Sequence, residues 1–183
     1  MNRWGKKFRS ISLGWAAAIL QVAKSCADRL TGRKFAGLPN YTLMEPGLYL
    51  GGACEQPPPD TKAVLRVTPV PDQYTAETYE AQPILDVAPS IEWLERQVRF
   101  VDRSRSRGLT TFVHCDAGAD RSAMVMVAFF MWRDRIGRDN AIEHVQRKRA
   151  CVKISPVFLD LLARWEAQVA RCDYTPTVSA RWL

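Results

Sequence analysis

Histidine is scarce in this chain, two residues in 183, and the five cysteines (Cys26, Cys54, Cys115, Cys151 and Cys172) stand at irregular spacings with no Cys-x-x-Cys pair. Such a set offers neither a disulfide framework nor the paired ligands of a structural zinc, so no metal and no organic cofactor is implied. A reducing compartment suits it, with at least one thiol left for chemistry. A run long enough to span a membrane is missing as well. The uncharged stretch from Ser10 to Ala23 would rise about 21 Å as a helix, short of the roughly 30 Å hydrocarbon core. Internal repeats and low-complexity segments are absent as well.

Acid is nearly missing from residues 1–39, where eight basic side chains face one carboxylate, Asp28, while the rest of the chain sums to zero. The net charge of +7 therefore belongs to the arm. A basic domain built for nucleic acid is excluded, since its field would have to lie on the domain itself. The arm joins its charges to Ile11, Trp15, Ile19 and Val22 at helical spacing. It reads as a helix and linker that packs on the domain or touches an anionic membrane surface. A secretory signal or an organelle transit peptide are the competing readings, so the expected location is cytoplasmic or membrane-associated, with export or organelle targeting left open.

What is present is enough apolar residue to build a core, 47% of the chain. Short apolar runs bounded by Gly or Pro predict strands at 47–52, 63–67, 84–86 and 110–114, with the QPPPD segment between the first two irregular. Ile91, Leu94, Val98 and Val101 recur at helical spacing behind Pro89 and Ser90, and Gly108 stops the run. The segment from Arg121 to Arg135 is apolar on nearly every side and predicts a buried central helix. Asn140 with Glu143 resembles a capping box, and Ser155 with Pro156 opens a helix through Arg171. The expected fold is α/β: a short, mostly parallel central sheet flanked by helices, behind an N-terminal helical extension. The expected domains are 1–39, a catalytic unit over 40–172, and a tail over 173–183.

Chemistry concentrates in VHCDAGADRS, residues 113–122, between the best strand and the most buried helix. A loop leaving the carboxyl end of a strand and opening a helix turns successive backbone N–H groups into one concavity, with the positive end of the helix dipole behind them. Gly118 allows the curl, and Arg121 supplies a planar fork for two phosphate oxygens. Cys115 sits at the mouth, where a positive field favours the nucleophilic thiolate.

HCDAGADRS resembles the HCxxGxxRS signature of the cysteine-dependent protein tyrosine phosphatase superfamily, and PGLYLGG resembles the opening strand of its dual-specificity branch. The likeness covers about 130 residues. It implies a phosphomonoester hydrolase working through a phosphocysteine: Cys115 as nucleophile, Arg121 and the amides of Asp116, Ala117, Gly118, Ala119 and Asp120 as the phosphate cradle. His114 would order the loop, and Ser122 would donate to the leaving sulfur. Asp86, 29 residues before Cys115, matches the family's general acid by position. Asp72 lies in a Pro-rich loop farther away and Asp102 is expected on the outer part of a helix, so both are poorer candidates. Asp116 and Asp120 put carboxylates where phosphoinositide-directed relatives carry lysines, and their side chains are expected to flank the pocket and repel a polyanionic headgroup. The expected substrate is a phosphorylated protein. A partial likeness to the mitochondrial phosphatase acting on phosphatidylglycerophosphate keeps a phospholipid substrate open, and a phosphate-binding adaptor without turnover is the alternative of another class.

Overall fold

The computed structural model describes residues 40–171. The readings made above for 1–39 and for 172–183 lie outside the described residues. A five-stranded sheet forms the centre of the described part, in the order β1-β2-β5-β3-β4. Its strands are β1 (Tyr41–Glu45), β2 (Leu48–Gly51), β3 (Ala63–Arg66), β4 (Thr78–Ala81) and β5 (Thr111–His114). β1 pairs antiparallel with β2 through a tight turn at Pro46 and Gly47, and every other pairing is parallel. Gly47 adopts φ +74°, the conformation that a Pro-Gly turn demands of its third residue. Arg105 covers that turn, donating to the carbonyls of Pro46, Gly47 and Leu109.

Four helices follow the predicted order: α1 (Ile91–Ser106), α2 (Arg121–Asp134), α3 (Arg138–Lys148) and α4 (Pro156–Arg171). Ser90 caps α1 by accepting from the Trp93 amide at 3.2 Å, and Gly108 ends the segment at φ +72°. α2 is buried from Arg121 to Trp132, which is why its sequence has no polar face. It packs against α1, α3, α4 and the sheet, and Trp165 of α4 donates its indole N–H to the Ala128 carbonyl at 3.0 Å. Leu48, Leu50, Leu65 and Val113 from one face of the sheet join Leu94, Val98, Phe129 and Leu162 in a single core.

Three expectations are corrected. Residues 84–86 are not a strand. Ile84 is apolar because it seats in the core, and the real fourth strand, Thr78–Ala81, lacks an apolar run because it is a partly exposed edge. The edge strand β1 also lacks a clean alternation, with Leu43 exposed beside a buried Met44. Asn140 does not cap a helix: α3 begins at Arg138 behind Gly137, and Glu166 of α4 accepts from the Arg138 amide at 2.8 Å. Asp102 is not on an outer helix face but fully buried in α1.

β5 lies between β2 and β3 at the centre of the sheet. The residues after its carboxyl end therefore open into the crevice where strands diverge, the position at which α/β sheets bind ligands. That placement turns a sequence motif into a site.

Candidate active site

The chain leaves β5 at His114, curls through Cys115 to Asp120 and enters α2 at Arg121. Gly118 takes φ +68°, and a Cβ there would stand 2.3 Å from the Gly51 carbonyl carbon, while a Cβ on Gly52 would stand 2.6 Å from the Asp116 carbonyl oxygen, so the curl can press against the end of β2 only because residues 118 and 52 are glycine. Inside the curl the Cys115 sulfur accepts from the Gly118 amide at 3.3 Å and from the Ser122 hydroxyl at 3.2 Å. Gly51 O is a second acceptor for that hydroxyl at 3.3 Å, so its one proton is shared between them. Two donors thus converge on the sulfur at a helix N-terminus.

Arg121 is buried and crosses the same cavity. Its Nη2 donates to Asp116 Oδ2 at 2.8 Å, its Nη1 to the Ile84 carbonyl at 3.3 Å, and its Nε lies 3.7 Å from Asp86 Oδ1. Burial by itself would lower the guanidinium pKa, but Cys115, then Asp116 and Asp86, outweigh it and hold the group above its ordinary value. The Asp86 side chain is 65% exposed. The 84–86 segment thus lies over Arg121 instead of continuing the sheet.

The two loop aspartates part company. Asp116 does flank the cavity, held by Arg121 and by the Thr68 hydroxyl at 2.6 Å. Asp120 does not: its Oδ1 accepts from the Ser155 amide at 2.9 Å, tying the loop to the start of α4, so its expected place at the pocket rim is corrected. His114 is wholly buried, stacked on Phe112 at 4.8 Å, with Nε2 2.9 Å from Asp72 Oδ2. Tyr79 also donates to Asp72, at 2.6 Å. Burial first, then Asp72, pushes the Tyr74 phenol far up, and burial with the Asp72 hydrogen bond does the same for Tyr79, so both remain neutral donors. Asp72, set aside as an acid, is an orienting partner of His114 beneath the loop.

Thr68, Tyr74, Tyr79 and Arg149 were not singled out from the sequence. The first three sit in or beside Pro-rich segments with no spacing to the motif. Arg149 hides in the basic run QRKR, which reads as a solvated helix end.

The model of the family described as dual specificity phosphatase, catalytic domain, matches residues 60–168. The chain belongs to the dual-specificity phosphatase family. Dual specificity protein phosphatase 1 of Homo sapiens is 30% identical over 134 residues, covering 68% of this chain and 36% of that protein. Dual specificity protein phosphatase 12 of Rattus norvegicus is 33% identical over 137 residues, covering 68% and 40%. The chain thus spans between a third and a half of the length of these curated relatives. Among solved structures, a mouse putative dual specificity phosphatase complexed with zinc tungstate superposes with a TM-score of 0.67 at 20% identity, covering 74% of this chain and 92% of that one. PTPMT1 in complex with PI(5)P gives 0.65 at 18% identity, covering 73% and 98%. These two carry the fold. The expected α/β architecture with a mostly parallel sheet is the one observed, and its fold is shared with the mouse putative dual specificity phosphatase.

Proposed function

We propose that this chain hydrolyses phosphomonoesters on proteins through a phosphocysteine. The observation that carries the reading is the Cys115 sulfur accepting from the Gly118 amide and the Ser122 hydroxyl, with Arg121 buried beside the same loop and Asp86 3.7 Å from its Nε. In the first step Cys115 Sγ attacks phosphorus in line, the bond to the ester oxygen breaks, and Asp86 gives that oxygen a proton. Arg121 and the loop amides hold the equatorial oxygens as charge spreads over them. In the second step the Asp86 carboxylate takes a proton from water, the water oxygen bonds to phosphorus, and the thiolate leaves with the Ser122 hydroxyl donating to it. His114, held by Asp72, keeps the start of the loop in register.

Asp116 supports a singly phosphorylated substrate. An incoming phosphate takes Nη2 of Arg121 from Asp116, and the released carboxylate keeps its Thr68 partner at the cavity wall. A second phosphate on the same molecule would face that charge at close range. Turnover of phosphotyrosine and phosphothreonine peptides should therefore exceed turnover of phosphoinositides. Asp116→Lys should shift that ratio toward phosphoinositides by about tenfold, the effect of roughly 1.4 kcal/mol. Faster wild-type turnover of a polyphosphoinositide than of every phosphopeptide tried would end the protein-substrate reading.

A second reading rests on the arm. Eight basic side chains with Trp4 and Trp15 in residues 1–39 are the composition of a peripheral contact with anionic lipid, which would bring a phospholipid such as phosphatidylglycerophosphate within reach. The full chain should bind vesicles containing anionic lipid at low salt, and Lys6→Glu/Lys7→Glu should weaken this about thirtyfold or more, at about 1 kcal/mol per basic side chain. Equal binding to neutral vesicles would remove the membrane role.

A further inference from the structure

Four consecutive carbonyls of the loop, from Asp116 to Ala119, point away from the cavity, and each has a named donor behind it. The Ala53 amide donates to Asp116 O at 3.0 Å, and the Lys153 amide to Ala119 O at 2.9 Å. The two in the middle belong to one side chain. Arg149 Nε donates to Gly118 O at 2.8 Å and Nη2 to Ala117 O at 3.0 Å. The rest of the guanidinium is fixed from the other side, by Asn40 Oδ1 at 2.7 Å and Thr42 Oγ1 at 3.1 Å. The residue is 8% exposed.

A trans peptide is planar, with its C=O and N–H on opposite edges. Holding the Ala117 carbonyl outward thus aims the Gly118 N–H inward, and that N–H is the one that donates to the Cys115 sulfur at 3.3 Å. Holding the Gly118 carbonyl outward aims the Ala119 N–H inward in the same way. We propose that Arg149 is a positioning residue: it clamps the two central peptides of the loop so that their amides face the sulfur and the phosphate. Its place at the end of α3 explains why it can do this without entering the cavity. A lysine can substitute only in part, because one ammonium lacks the rigid fork that meets two carbonyls and two β1-side acceptors together.

The proposal rests on the phosphatase reading for its rate effect but not for its binding effect, so both are measured. Inorganic phosphate is titrated calorimetrically into wild type, Arg149→Met and Arg149→Lys, alongside kcat and KM for 4-nitrophenyl phosphate and the amide proton shift of Gly118. Arg149→Met should weaken phosphate binding about tenfold and lower kcat about 10²-fold, as loss of aimed oxyanion donors does. The Gly118 amide resonance should move, and Arg149→Lys should fall between the two. A purely structural arginine would lower the melting temperature and leave phosphate affinity, kcat and the amide shift at wild-type values, which overturns the proposal. If Arg149→Met does not fold, Arg149→Lys decides: it keeps the charge and the apolar stem, and unchanged phosphate affinity in it is the overturning result. Wild type that binds phosphate without hydrolysing any ester would sink the phosphatase reading while leaving the clamp to be judged on affinity and the amide shift.

Discussion

Cys115→Ser should lower hydrolysis of 4-nitrophenyl phosphate by about 10⁴-fold or more, the scale expected when a nucleophile is removed from a covalent mechanism. The substitution is nearly isosteric at a site only 2% exposed, so the melting temperature should stay close to that of wild type. Inorganic phosphate should still bind within a few-fold of wild type, because Arg121 and the loop amides are untouched. What is lost is chemical. A serine hydroxyl in the same place is a far weaker nucleophile than the thiol it replaces. Retained turnover in Cys115→Ser would place the nucleophile elsewhere. Loss of turnover together with loss of phosphate binding would point to a collapsed loop instead.

Asp86→Ala should separate substrates by their leaving groups. With an alkyl phosphate, whose alkoxide cannot depart unprotonated, the rate should drop by about 10² to 10⁴-fold, the usual worth of a general acid. With 4-nitrophenyl phosphate, whose phenolate is a good leaving group, the first step should be little affected. Slow hydrolysis of the intermediate should then appear as a burst of nitrophenolate followed by a reduced steady state. The geometry behind this expectation is the position of Asp86 over Arg121, 3.7 Å from its Nε, with the carboxylate open to water. An equal loss on both substrates would argue that Asp86 merely holds Arg121.

The loop was the most readable part of the chain because its chemistry is local. Cys115, Gly118, Arg121 and Ser122 lie within eight residues, and a strand followed by a helix is enough to curl them into one cavity. The buried helix α2 was readable for a similar reason, since a segment apolar on all sides has one place to go. The edges of the sheet were not. Thr78–Ala81 pairs with β3 through its backbone, and its half-exposed side chains carry no strand pattern. Residues 84–86 carried the apolar pattern for a different purpose, to seat Ile84 and bring its carbonyl onto Arg121.

The sequence by itself determined the Cys115 to Ser122 motif, its place between a strand and a buried helix, and the sign of the arm's charge, because each depends on residue type and short spacing. Tertiary structure decided what surrounds them. It put Asp116 on Arg121 but turned Asp120 away to Ser155, though both are aspartates of one loop. It made Asp72 the partner of His114, 42 residues along the chain, and brought Arg149 behind carbonyls 31 and 32 residues away. Hydrogen bonds act over about 3 Å whatever the sequence separation, so the groups that aim the loop are chosen by how the sheet and helices pack, and no spacing in the chain announces them.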